Sequence, residues 1–305
     1  MKRRVNYAVI DAFTSVAFKG NPAAVCLLEE GGWDTAAAGD SWMKSVAAEF
    51  NISETCFLTR VPPEGHADAA VVPRFRLRWF TPVEEVDLCG HATLAAAHFL
   101  FKSSLAECNQ VEFITRSGVL TAKKICGLGQ MNGAKYPDNG DVEQFSIELD
   151  FPVVSVVECH SAEVSLLPGT LKGVSVVDVK KTAGGDLLVE LDSGKDVANI
   201  QPQFDEIRRC AGRGLIVTGP APDGSGFDIF SRFFCPKLGI NEDPVCGSAH
   251  CVLAPYWRRK IGKSNLIAYM ASPRGGRLDL LLEEETQRVK IRGEAVTVMV
   301  GTLLA

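Results

Sequence analysis

The sequence lacks the features that mark several large classes of protein. No apolar run approaches the ~18 residues of a membrane span, and the stretch after Met1 does not have the form of a signal peptide. No dense cluster of lysine and arginine offers a surface for nucleic acid, and the net charge is −5. Neither G-x-G-x-x-G nor a P-loop is present. We therefore expect no membrane partner, no nucleic-acid partner and no cofactor.

The ten cysteines are scattered, and no Cys-x-x-Cys pair occurs among them. Several lie in apolar, strand-like runs, where a thiol behaves as a small hydrophobic group. Without a secretion signal, reduced thiols in the cytoplasm are the expectation. Cys246 and His250 would share a helix face, with Cys251 beside them, but no second ligand cluster of zinc spacing follows. We expect no metal.

The chain of 305 residues is long enough for two domains, and it contains one internal repeat. Residues 75–92 and 227–249 each contain an aromatic strand with a proline, then acidic residues, then Cys-Gly-x-Ala before an Ala/Leu-rich helix pattern. In the first copy Arg74, Arg76 and Arg78 alternate with apolar residues, which predicts a strand with one solvated and one buried face.

The elements around the two copies also follow the same order, which predicts an α+β fold of two similar domains. In each domain a mainly antiparallel sheet or barrel would surround a central helix, predicted at 93–101 in the first copy and 250–257 in the second. We place the first domain at 1–125, completed by a C-terminal strand at 294–305, and the second at 140–293. The Gly- and Asn-rich stretch 127–140 is predicted to be a surface loop near the junction.

The repeated Cys-Gly pairs, Cys89-Gly90 and Cys246-Gly247, are predicted to begin helices. Helix N-termini carry unpaired N–H groups that bind anions, and the glycines allow close approach to the backbone. The same field stabilises a thiolate. Two such ends facing one another would hold one small anion, so we expect a small carboxylate substrate in a cleft between the halves.

Other candidate residues each have a functional and a structural interpretation. Glu54 at a strand start is either a buried general base or a carboxylate paired with a neighbour. His91 is either a hydrogen-bonding group for substrate or a structural histidine. Asp243 and Ser248 flank Cys246 and are equally suited to capping a helix. The turn at 272–276 either meets an anion or is a plain hairpin turn.

Several sequence blocks together resemble the phenazine-biosynthesis PhzF-like isomerase family. The resemblance spans residues 8 to about 301 and rests on blocks at 11–14, 18–25, 51–55, 86–95, 241–245, 247–250 and 272–276. It implies the diaminopimelate epimerase fold of two pseudo-symmetric domains, a homodimer, and an enzyme that isomerises a small acid.

The resemblance also implies roles for individual residues. In the phenazine enzyme a glutamate in the Asn-x-Ser-Glu-Thr block moves a proton, and the matching residue is Glu54. His91, Asp243 and Ser248 match its assisting groups. Substrate-binding positions on the matching blocks are Asn21, Gly90, Gly247, Ser272, Arg274 and Gly275.

Two departures from the family pattern keep other functions open. Cys246 stands where the family usually has threonine and matches one catalytic cysteine of the epimerases, and Cys89 matches the other. The alternative is therefore a two-cysteine racemase or epimerase of an amino or hydroxy acid. Met270 replaces a common glutamine, so a polar contact to substrate is expected to be missing. A third hypothesis is a non-catalytic protein that binds a metabolite or a partner.

Overall fold

The computed structural model describes residues 4–28, 36–62, 72–126, 145–159, 169–171 and 173–304. The predicted loop 127–140 lies outside these ranges. The first elements are β1 Arg4–Ala12, β2 Asn21–Leu28, α1 Ala36–Phe50, β3 Glu54–Val61, β4 Arg74–Phe80, β5 Glu85–Val86, α2 Gly90–Phe101, β6 Gln110–Thr115, β7 Gly118–Cys126 and β8 Phe145–Pro152.

The remaining elements follow in chain order. They are β9 Val156–Glu158, β10 Val176–Thr182, β11 Leu187–Leu191, α3 Gly194–Asn199, α4 Phe204–Arg209, β12 Leu215–Pro220, β13 Ile229–Cys235, β14 Ile240–Asp243, α5 Gly247–Ile261, β15 Asn265–Met270, β16 Gly276–Glu283, β17 Arg288–Gly293 and β18 Ala295–Leu304. Short 3-10 turns occupy Gly169–Leu171 and Pro236–Leu238.

The chain forms two compact units. Unit 1 comprises residues 1–17, 22–150 and 292–305, and unit 2 comprises residues 18–21 and 151–291. Residues 145–150 and 292–293 belong to unit 1, and residues 18–21 belong to unit 2.

The strand pairings of unit 1 are repeated in unit 2. In unit 1, β2 runs parallel to β3, β3 antiparallel to β4, and β4 antiparallel to β5 and parallel to β6, which pairs with β7. In unit 2 the same relations join β11, β12, β13, β14, β15 and β16. The internal repeat seen in the sequence is therefore a repeat of topology.

Each unit has a largely buried helix at the end of the repeated Cys-Gly segment. Every residue of α2 except Phe99 is buried, since this helix fills the interior of its sheet. The helix α5 is buried along its first two turns, from Gly247 to Ala254 apart from Ser248. These interior helices confirm the predicted α+β class, with a mainly antiparallel sheet around a central helix in each unit.

A second apolar layer lies outside each sheet. In unit 1, α1 packs Met43 and Ala47 on Phe57 and Phe80. In unit 2, the short helices α3 and α4 contribute Val197 and Ile207 to a cluster with the strands β11 and β12. Ser193 begins α3 by accepting a hydrogen bond from the Lys195 amide at 3.1 Å.

Pro255 lies inside α5 and cannot donate a backbone hydrogen bond, so the carbonyl of Cys251 loses its usual helical partner. The amide of Val154 donates to that carbonyl instead, at 3.1 Å. The helix ends at Gly262, which adopts a left-handed conformation with φ of 80° and donates to Arg258 at 2.9 Å. The carbonyls of Cys251 and Arg258 thus both accept a hydrogen bond from within unit 2.

Candidate functional site

In unit 1 the candidate residues gather at the start of α2. Cys89 precedes the helix in an extended conformation, and its Sγ lies 3.3 Å from Nδ1 of His91. Both side chains are buried. Burial lowers the pKa of His91 to about 3, although the backbone carbonyl of Pro22 favours the charged form. The imidazole is therefore neutral at physiological pH.

Glu54 lies at the same end of unit 1. It is the first residue of β3, is buried, and is opposite Ala23 of β2, the residue next to Pro22. Two residues further along β3, the thiol of Cys56 contacts the carbonyl of Ala92 at 3.7 Å, which ties β3 to the first turn of α2. The structure therefore brings the carboxylate of Glu54 and the ring of His91 to one end of the unit.

In unit 2 the central group is the carboxyl of Asp243. Its Oδ1 accepts hydrogen bonds from Nδ2 of Asn21 at 2.7 Å and from the amide of Val245 at 3.2 Å, and the thiol of Cys246 also bonds to it. Burial is the dominant effect and raises the pKa of Asp243 to about 6, despite these three bonds. A carboxyl group with this pKa exchanges protons near neutral pH.

The two residues that flank Gly247 complete this cluster. Cys246 precedes α5, and its Sγ lies 3.2 Å from Oγ of Ser248. Burial and the charge of Asp243 raise the pKa of Cys246 well above its usual value. The expected stabilisation of a thiolate by the helix start is outweighed here, because the thiol is buried beside a carboxylate.

The glycines at the two helix starts adopt the positions that the sequence predicted. Gly90 is the first residue of α2 and Gly247 is the first residue of α5, and both are buried. Each lies between a cysteine and a polar side chain, His91 in unit 1 and Ser248 in unit 2.

Asn21, which the resemblance places among the substrate-binding residues, is tied to the protein itself. Besides its bond to Asp243, Nδ2 donates to the carbonyl of Val245 at 3.0 Å. Its Oδ1 is buried and makes no hydrogen bond with any residue in the described ranges. The amide thus holds the Asp243 carboxyl in place and keeps one acceptor unused.

The turn that follows β15 holds the segment that carries Asn21. Arg274 donates to the carbonyls of Gly20 and Lys19 at 2.8 and 2.9 Å. Ser272 donates to the carbonyl of Pro244 at 2.7 Å and accepts from the amide of Gly275 at 3.1 Å. These donors are engaged with backbone, so the structure places them in support of the Asn21–Asp243 pair.

Gly275 has a further reason to be glycine. Its φ is +69°, and the hydroxyl of Tyr269 occupies the space that a Cβ would need.

Met270 has a role that the sequence did not reveal. Its Sδ accepts a hydrogen bond from the amide of Cys246 at 2.9 Å, and the side chain is completely buried. The only signal in the sequence was the departure from the family's glutamine, which suggested a missing contact to substrate. The sulfur instead satisfies an amide at the start of α5.

Two bidentate Arg–Glu ion pairs were also not predicted from the sequence. Arg78 binds Glu85 at 2.7 Å through each of two nitrogens, and Arg232 binds Glu242 at 2.7 and 2.9 Å. Each guanidinium also lies about 5 Å over the ring two residues along its strand. The acidic residues between strand and Cys-Gly pair were visible in both copies, but their partners were not.

His250, in the first turn of α5, forms a hydrogen bond with the backbone. The ring of His250 donates from Nδ1 to the carbonyl of Cys246 at 2.7 Å, and Nε2 lies 3.4 Å from Oγ of Ser231. Within the ranges that the structure describes, no group of three or more His, Cys, Asp and Glu side chains could hold a metal ion. No helix in the same ranges is long and apolar enough to cross a membrane.

Comparison with known proteins gives the same family as the motif blocks. The sequence model of the family described as phenazine biosynthesis-like protein matches residues 10–301. An uncharacterized isomerase of Halalkalibacterium halodurans is 41% identical over 297 residues, covering 97% of each chain.

Solved structures agree at the level of the fold. A crystal structure of a phenazine biosynthesis protein of the PhzF family from Enterococcus faecalis matches with a TM-score of 0.77 and 35% identity, covering 99% of this chain and 100% of that one. A probable proline racemase from Agrobacterium radiobacter, 13% identical, shares the fold with a TM-score of 0.58 over 97% of this chain and 92% of its own. The resemblance in the sequence is confirmed: the chain belongs to the phenazine biosynthesis-like (PhzF) family.

Proposed function

We propose that this protein is a cofactor-independent isomerase that moves a proton within a small carboxylic acid. Glu54 is the acid/base in this proposal: it takes a proton from one carbon of the substrate and returns it to another. The observation that carries the proposal is the position of Glu54, a buried carboxylate at the first residue of β3, the strand whose Cys56 contacts the first turn of α2. The name of the Halalkalibacterium relative, an isomerase, supports the reaction class.

The neighbouring groups suit assistance in proton transfer. His91 is neutral because burial lowers its pKa to about 3, so it can donate a hydrogen bond to an uncharged or anionic substrate oxygen. The pKa of Asp243 is raised to about 6 by burial, which is close to the working range of a general acid or base. Ser248 and the glycine amides at the two helix starts supply further donors in this proposal.

The test is a screen for proton exchange with small cyclic and unsaturated carboxylic acids in deuterium oxide, followed by NMR. We expect wild-type protein to incorporate deuterium into at least one acid. Glu54→Gln should reduce the rate by about 10²–10⁴-fold, the range for removal of a general base. Glu112→Gln changes a carboxylate of unit 1 that is ion-paired with Arg74 on β4, and serves as the matched control. Retention of exchange in Glu54→Gln would refute the assignment.

The second candidate is two-base epimerisation by Cys89 and Cys246. Its support is that each thiol immediately precedes a buried helix at the repeated position, on a fold shared with a probable proline racemase. The raised pKa of Cys246 weighs against a thiolate there. Cys89→Ala and Cys246→Ala distinguish the two mechanisms: exchange that survives both changes supports Glu54, and optical inversion lost in either supports the thiols.

A non-catalytic binding protein is the remaining alternative. It would retain an acid and exchange no substrate proton with any member of the panel. A homodimer in the cytoplasm, as the sequence suggests, stays a prediction, and sedimentation analysis of the purified protein would test the dimer.

A further inference from the structure

The position in unit 2 that corresponds to Glu54 can be located from strand register. On β3, Thr55 is opposite Phe80, and on β12, Leu215 is opposite Phe234. Phe80 and Phe234 are equivalent because each is the ring under the guanidinium of the repeated Arg–Glu pair. Glu54, one residue before Thr55, therefore corresponds to Gly214, one residue before Leu215.

A different carboxylate occupies the space beside Gly214. Leu187 of β11 is opposite Leu215, so Asp186 is the neighbour of Gly214 across the strands. A Cβ built on Gly214 would lie 3.1 Å from Oδ1 of Asp186 and 2.6 Å from the ring of Phe233. Because Gly214 has no side chain, the carboxyl of Asp186 fits beside it, next to the position that corresponds to Glu54 in unit 1.

This second carboxylate is held by an arginine. Arg213 donates from Nε to Oδ1 of Asp186 at 3.0 Å and from Nη2 to Oδ2 at 2.8 Å. The Asp186 side chain is 8% exposed, whereas that of Arg213 is 50% exposed. Nη1 of Arg213 has no partner among the residues that the structure describes. The fork is therefore fixed in orientation by a buried anion, with one edge left for another acceptor.

The pair lies at the same end of unit 2 as Cys246 and Asp243. Phe233, whose ring contacts the Gly214 position, is opposite Asp243 in the pairing of β13 with β14. Charge interactions of Arg213 with Cys235 and Cys246 agree with this placement. The arginine is thus a cation close to the cluster that contains Asp243.

We propose that Arg213, oriented by Asp186, binds the carboxylate of the substrate acid. Planar guanidinium and carboxylate groups match through two parallel hydrogen bonds, and the free edge of Arg213 offers such donors. This inference rests on the proposed function for its substrate class, a small carboxylic acid. Asp186 is a positioning residue, because it acts through Arg213.

The structural alternative is that Arg213 only neutralises a buried aspartate. To separate the two, the acid-binding test uses a double variant, Arg213→Met with Asp186→Asn, in which no unpaired charge stays buried. Arg213→Lys keeps the charge and loses the planar fork. Arg74→Met removes an ion-paired arginine of similar exposure, 39%, from unit 1 and is the matched control.

The experiment is an NMR titration of each protein with benzoate, cyclohex-1-ene carboxylate and proline, and with the primary amide of each. We expect wild type to bind at least one acid more tightly than its amide. The double variant should lose that preference, with acid affinity reduced at least tenfold and amide affinity within about twofold. Arg213→Lys should be intermediate, and Arg74→Met should match wild type.

Each contrary outcome overturns the inference. It fails if wild type binds none of the acids, if it binds acid and amide alike, or if the double variant keeps the preference. Because binding needs no turnover, Glu54→Gln should still prefer the acid. Loss of preference in the double variant with normal exchange in Glu54→Gln would refute the proposed function alone, and the reverse pattern would refute only the role of Arg213.

Discussion

The two units share one strand topology but carry different side chains at corresponding positions. Each has the same strand pairings, a bidentate Arg–Glu ion pair at the same position, and a buried helix after Cys-Gly. At the strand start, unit 1 has Glu54, whereas unit 2 has Gly214 with the Asp186–Arg213 pair beside it. At the helix start, a histidine in unit 1 corresponds to a serine in unit 2. The comparison separates what the fold requires in both units from what a reaction requires in one.

The largest expected difference is in how much each of the two bidentate Arg–Glu ion pairs contributes to the free energy of unfolding. Arg232 is 6% exposed and Glu242 12%, and Arg232 also donates to the carbonyl of Ile200 at 2.7 Å. Arg232→Met should therefore cost about 3–5 kcal/mol in the free energy of unfolding, since it leaves a desolvated carboxylate without its partner. The measurement is urea denaturation followed by circular dichroism.

The matching change in unit 1 should cost less. When Arg78 is replaced by Met, Glu85 keeps a second cation, Arg116, at 2.6 Å, and Asp40 is already 42% exposed. We expect a loss of about 1–2 kcal/mol. An equal loss of unfolding free energy in Arg78→Met and Arg232→Met would show that the two ion pairs are equivalent in energy as well as in position.

Acid should destabilise unit 1 more than unit 2. Burial lowers the pKa of His91 to about 3 and of His98 to about 4 in unit 1, and of His250 to about 4 in unit 2. As pH falls below about 6.5 the unfolded chain takes up these protons first, so each histidine removes about 1.4 kcal/mol per pH unit down to its folded pKa. Asp243 acts oppositely between 3.8 and about 6, because its folded pKa is raised.

The opposite effects of the histidines and of Asp243 predict that α2 and α5 differ in local stability between pH 6.5 and 4. Protection of α2 amides against hydrogen exchange, corrected for intrinsic rates, should fall more steeply than that of α5 amides. His98→Phe should remove about 1.4 kcal/mol per pH unit from the slope of unfolding free energy in this window. A slope unchanged by His98→Phe would contradict the assignment of that titration.

Asn21 is expected to tune the proton affinity of Asp243. Its hydrogen bond lowers the pKa of Asp243 against the larger effect of burial. Asn21→Leu should therefore raise that pKa above about 6, as measured by NMR titration of the labelled carboxyl carbon. Asn6→Leu, which changes an asparagine of unit 1 that bonds Thr302, should leave it unchanged. A lower pKa in Asn21→Leu would contradict the prediction.

The smallest effect concerns the amide at the start of α5. Met270→Leu removes the acceptor of the Cys246 amide and should cost about 1 kcal/mol. Met270→Gln offers a carbonyl oxygen in its place and should recover part of the loss. Met43→Leu in the core of unit 1 controls for the change in shape, and urea midpoints give the comparison.

The positions of many strands and helices could be predicted from the sequence. Apolar alternation located β4, and the repeated Cys-Gly pairs located α2 and α5, although both helices begin three residues earlier than their apolar runs. The two-residue strand β5 and the short helix α3 were missed, because such elements have too few residues to show a period. The expected thiolate at Cys246 was wrong in direction, since burial is invisible in a helix-start motif.

The sequence by itself determined the repeat, the α+β class and the family, because these follow from periodicity and from motif order along the chain. Only the tertiary structure decided which side chains meet. Asn21 bonds Asp243 across 222 positions of the chain, and Arg274 holds Gly20 across 254. Asp186, which precedes β11, places a carboxylate beside Gly214, the residue that corresponds to Glu54. Hydrogen bonds and pKa values depend on distance and burial in space, and strand register sets both after folding.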